Sequence, residues 1–186
     1  MTSSAKLLRS PKPLIGNVGL IVLTKMGTII RLTALSLLFA GSIAVVFVAV
    51  TLVKAGEAKG LTVAEAASAN APVFIEFSKL IAASCISLLI AEAIDSFSTR
   101  HFSRLKLIQY ALSAFCCLCG FTFALVLAPM MNQLLDSINY DVHSYETFRA
   151  LHQSSRFIFS GIILFAWLSL ILPIFGSFIP DSKESK

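Results

Sequence analysis

Leu32–Val53, LTALSLLFAGSIAVVFVAVTLV, runs 22 residues without a charged side chain. A helix needs about 20 apolar residues to cross a hydrocarbon core of roughly 30 Å. Leu107–Met131 repeats the pattern over 25 residues and Phe157–Ile179 over 23. Ala71–Phe97 is apolar apart from Glu76, Lys79, Glu92 and Asp95. These four stretches predict an all-α integral membrane four-helix bundle, with spans at about 32–53, 71–97, 107–131 and 157–179. A basic leader, 1–31, precedes the transmembrane domain of 32–179, and a polar tail, 180–186, follows it.

Composition excludes a water-soluble reading. Charged residues are 13% of the chain and mean hydropathy is +0.84, whereas soluble domains carry about 25% charged residues. The net charge of +5 does not point to nucleic acid, because it is gathered at the span ends. Lys6, Arg9, Lys12, Lys25 and Arg31 precede the first span, and no acid occurs before Glu57. With Arg100, Arg104, Lys106, Lys183 and Lys186 they place ten cations on one side, against Lys54, Lys59 and Arg149 on the other. The positive-inside rule then puts both termini in the cytoplasm, and the expected site is a bacterial-type inner membrane. A basic, serine-containing leader also describes an organelle transit peptide, which would move the protein to an organelle membrane. Pro13–Thr24 is apolar but too short to span, and reads as interfacial.

Local signals refine the outer side. Thr62-Val63-Ala64-Glu65 matches a capping box, so a short helix is expected there, ending near Asn70, with Pro72 in the first turn of the second span. Small residues at Ala40, Gly41 and Ala44, at Ala82, Ala83, Ser84 and Ser87, at Ser113, Ala114 and Gly120, and at Ser160 and Gly161 permit close helix approach or homo-oligomerisation.

Two groups of ionisable residues are candidate sites. Glu76, Lys79, Asn132, His152 and Arg156 gather at the outer ends of the helices, where Glu76 can pair with Lys79 or reach His152 or Arg156. Glu92 and Asp95 lie one turn apart at the inner end, within reach of Arg31, Arg100, Arg104 or Lys106. Charges in a span must face the bundle or sit at its rim, so ion pairs that fix helix packing are the simpler reading of both groups. A two-carboxylate hydrolase lacks a nucleophile and oxyanion donors. Cys116 and Cys119 have CxxC spacing, but inside an apolar helix such residues act as small hydrophobes; with Cys85 they form an alternative soft-metal site. No phosphate-binding loop, dinucleotide fingerprint or hydrolase motif occurs.

Leu127-Ala128-Pro129-Met130-Met131-Asn132, followed by Phe148-Arg149-Ala150-Leu151-His152-Gln153-Ser154-Ser155, resembles the transmembrane protein 205-like family. Its members place a Pro at the end of one span and an F-x-x-L-H-x-x-S element at the start of the next. Pro129, Phe148, Leu151, His152 and Ser155 match that pattern. The resemblance implies a small multispanning helical protein without an established catalytic activity. The expected function is a non-enzymatic accessory, structural or solute-handling component whose partners are the bilayer and other membrane proteins, with no nucleic acid and no cofactor. The alternative is a haem- or metal-binding redox protein using His152, although no second intramembrane His faces it.

Overall fold

The computed structural model describes residues 14–98, 103–135 and 142–176. Lys6, Arg9, Lys12, Arg100, His101, Asp136, Asp141 and the tail 180–186 lie outside the described residues. The described residues are helical, with no strand among them. Four long helical rods form an up-and-down bundle. The first is α1, Leu14–Ser36, joined through a π-turn at Leu37–Gly41 to α2, Ser42–Ala58. The second is α3, Val63–Ser98. The third is α4, Arg104–Phe121, continued through a π-turn at Thr122–Leu127 into α5, Ala128–Leu135. The fourth is α6, Val142–Gly176. Each rod contains a stretch long and apolar enough to cross a membrane, so the protein is an integral membrane four-helix bundle.

The first rod is longer than its charge-free stretch. Its helix starts at Leu14, and the apolar, membrane-capable part covers Gly19–Ala58. The segment read as an interfacial leader is thus continuous with the first span. Arg31 does not mark a boundary in water; it is buried between helices. Inward positions follow helical spacing through Arg31, Ala34, Leu35, Leu38 and Ser42. The face of Ala40 and Ala44, expected to pack, is exposed instead.

The first outer turn is well specified. Lys59 caps α2 and Gly60 takes a positive φ of 88°, a backbone state that costs glycine little. Gly60 N–H donates to the Glu57 carbonyl at 2.9 Å, and Leu61 N–H donates to that of Gly56 at 3.2 Å. This is the Schellman arrangement. The capping box at Thr62 forms as expected: Thr62 N–H and hydroxyl both donate to Glu65 Oε2 at 2.8 Å, and Glu65 N–H returns to Thr62 Oγ1 at 3.3 Å. The helix it starts does not end at Asn70. It continues through Pro72 to Ser98, and Asn70, buried, donates from Nδ2 to the Ala49 carbonyl of α2 at 3.3 Å. Pairing with the neighbouring helix gives Asn70 a partner in mid-helix and removes its tendency to act as a stop.

The core runs the length of the bundle. Phe159 of α6 meets Phe123 at 5.0 Å between ring centroids, Phe77 at 6.2 Å and Phe74 at 6.5 Å. Below this aromatic layer Cys85, Cys116 and Ile162 are fully buried. Close helix approach there depends on Gly120, whose absent side chain leaves room for Cys85 Sγ and for Ile81 Cγ2. In lipid, where apolar collapse does not drive helices together, such contact supplies much of the packing energy.

Candidate functional site

The end of the bundle at the α3–α4 connection, expected to face inward, holds a buried polar network drawn from all four rods. Glu92, on α3, accepts from Arg31 Nε at 3.0 Å, Gln109 Nε2 at 3.0 Å and Ser113 Oγ at 2.6 Å. Arg31 also donates from Nη2 to the Ser169 carbonyl of α6 at 3.1 Å. Both side chains of the ion pair are about nine-tenths enclosed. One turn further in, Asp95 accepts from Lys106 Nζ and from Tyr110 Oη. Of the cations expected near these carboxylates, Arg31 takes Glu92 and Lys106 takes Asp95.

Sequence reasoning missed Gln109, Tyr110 and Ser113 as their partners. A signal was present: Gln109 is the single side-chain amide between Lys106 and Met131, and Ser113 follows it one turn later on the same helical face. Among the described residues the buried Ser42 and Ser169 hydroxyls have no hydrogen-bond partner.

Among the described residues one bond is seen within the outer group, between Glu76 and Lys79. Lys79 Nζ donates to Glu76 Oε1 at 2.6 Å on its own helix. Asn132, His152 and Arg156 are exposed, and among the described residues no hydrogen bond or ion pair joins them to Glu76 or Lys79. His152 stacks on Phe148 with an interplanar angle of 5° and a centroid separation of 6.3 Å. Its carbonyl accepts from Ser155 Oγ at 2.7 Å. Ser155 is buried and Leu151 packs against the core, so this turn of α6 divides into an inward Leu–Ser face and an outward Phe–His face. Pro129 is exposed on α5.

The ionisable residues in the membrane-capable part of α3 fall in two layers, Glu76 with Lys79 and Glu92 with Asp95. The step from Glu76 to Asp95 along α3 is about 28 Å at 1.5 Å per residue, close to a hydrocarbon thickness of about 30 Å.

The cysteines pack as small hydrophobes. Cys117 Sγ contacts the Cys85 carbonyl at 3.6 Å and Cys116 Sγ the Ile162 carbonyl at 3.7 Å. All four cysteines are free thiols. Among the described residues no three His, Cys, Asp or Glu side chains are placed to hold a metal ion.

Comparison of this chain with family models, curated proteins and solved structures finds no match. Its functional reading therefore rests on the two layers themselves.

Proposed function

We propose that this protein is a non-enzymatic accessory component of its membrane that presents the outer ends of its helices to a partner protein. The carrying observation is the way its ionisable groups are distributed. Glu92 receives three donors and Asp95 two, so the inner carboxylates are occupied by helix-to-helix bonds. Their arrangement suits a fixed bundle better than a proton or ion path, for which intramembrane charges usually line a cavity. Asn132, His152 and Arg156 are exposed at the opposite end and are free to meet a partner. The basic residues on the inner side support a cytoplasmic placement of both termini in a bacterial-type inner membrane, and the Pro129 and Phe148–Ser155 elements support membership of the transmembrane protein 205-like family.

The test places a photo-crosslinking residue at 132, 152 or 156 in the full chain in native membranes, with the lipid-facing position 118 as control. Discrete protein adducts from the outer positions are expected, and those from position 132 should be lost when His152→Ala and Arg156→Ala are introduced together. Adducts no more frequent than at 118, or unchanged from 132 in a folded double variant, would overturn the reading.

A further inference from the structure

The Glu76–Lys79 pair belongs to a lipid-facing surface that the accessory role does not use. Their side chains are 71% and 67% exposed although they bond each other. Glu76 also borders a shallow, open groove between α2 and α3 formed by the apolar side chains of Val45, Pro72, Val73, Phe77 and Leu80. Apolar walls beside an ion pair at the hydrocarbon edge lower the local dielectric and strengthen any charge it meets.

The order of the two charges along α3 is specific. The helix runs inward from this level to Glu92 and Asp95, so Lys79 lies about 4.5 Å nearer the hydrocarbon than Glu76 at 1.5 Å per residue. A zwitterionic glycerophospholipid presents the complementary order. Its phosphate adjoins the glycerol and acyl chains, and its amine lies further out towards water.

We infer that Glu76, Lys79 and the groove form a binding site for a phospholipid with a primary-ammonium headgroup, of the ethanolamine class. Lys79 Nζ donates to the phosphate, and the Glu76 carboxylate accepts from the ammonium. An acyl chain runs along Leu80 and Phe77 against Val45. A primary ammonium supplies N–H donors for a charge-assisted bond, which a quaternary choline lacks. An anionic glycerol headgroup matches Lys79 but brings no ammonium of its own for Glu76. This inference is independent of the accessory role.

The test uses the purified full chain in nanodiscs holding equal amounts of dioleoyl ethanolamine, choline and glycerol phospholipids, with retained lipid counted by native mass spectrometry. The wild type is expected to retain the ethanolamine lipid preferentially. Glu76→Lys combined with Lys79→Glu preserves an ion pair one turn apart but reverses its order. Retention should fall about tenfold in this swapped variant, corresponding to about 1.4 kcal/mol. Glu76→Gln alone, at an exposed position that folding does not require, should lose the preference for ethanolamine over glycerol lipid. Equal retention of all three lipids by the wild type overturns the inference. So does wild-type preference in the swapped variant or in Glu76→Gln.

Discussion

Arg31 and Glu92, 61 positions apart in sequence, meet at 3.0 Å inside the bundle and tie the first helical rod to the second. Two charges removed from water repay the cost of burial only when their remaining hydrogen-bonding capacity is met. Gln109, Ser113 and the Ser169 carbonyl meet much of it, and each lies on one of the other two rods.

Removing either partner alone should therefore be costly. Glu92→Ala or Arg31→Ala is expected to destabilise the protein by about 3–5 kcal/mol, since each leaves a buried charge without its counter-ion. Replacing both by Met should recover a large part of that loss, because the double change removes the charges together. Reversible unfolding in mixed micelles measures all three variants. Single variants within about 0.5 kcal/mol of wild type would show the pair to be hydrated and energetically idle.

Close packing at Gly120 makes a second claim. A Cβ there would meet Cys85 Sγ and, at 3.2 Å, Ile81 Cγ2. Gly120→Ala should cost about 1–3 kcal/mol by overpacking. Cys85→Ala in the same background should relieve part of it, giving a coupling of at least about 0.5 kcal/mol in a double-mutant cycle. Additive effects would mean that the third rod moves away as a whole.

Much of this architecture was legible because lipid makes simple demands. Length and lack of charge identified the four crossing stretches, and Thr62 and Glu65 identified a cap that depends on four consecutive residues. What was not legible depends on partners distant in sequence. Asn70 reads as a helix stop until Ala49 supplies an acceptor across the outer turn. Arg31 reads as a boundary cation until Glu92 and Ser169 enclose it. The outer residues share a level in the sequence reading, but among the described residues no hydrogen bond or ion pair joins His152 or Arg156 to the Glu76–Lys79 pair. Spacing fixes height along a helix far better than it fixes which neighbour a side chain faces.

The aromatic layer separates core from lipid-facing positions. Phe159 is 6% exposed and contacts three other rings, whereas Phe47 is 70% exposed. Phe159→Ala should cost about 3–5 kcal/mol. Phe47→Ala should stay within about 0.5 kcal/mol, as lipid fills the space it leaves. Thermal unfolding of both variants in one detergent checks the contrast, and equal losses would mean that Phe47 is also packed against protein.

Glu65 carries a pH signature outside the spans. The hydrogen bonds from the Thr62 backbone, and then from its hydroxyl, hold the Glu65 carboxyl below its ordinary value. These bonds favour the ionised form, so the cap's contribution is present above the unfolded pKa, about 4.3, and is lost as pH falls through the lower folded value. Carbon-13 NMR of the Glu side chains should place the Glu65 midpoint below the ordinary value of about 4.3. Thr62→Ala removes the hydroxyl bond and should shift the midpoint part of the way back, because the backbone N–H of residue 62 still donates. A wild-type Glu65 midpoint at the ordinary value would mean that the capping box opens in solution and that α3 does not begin at Val63.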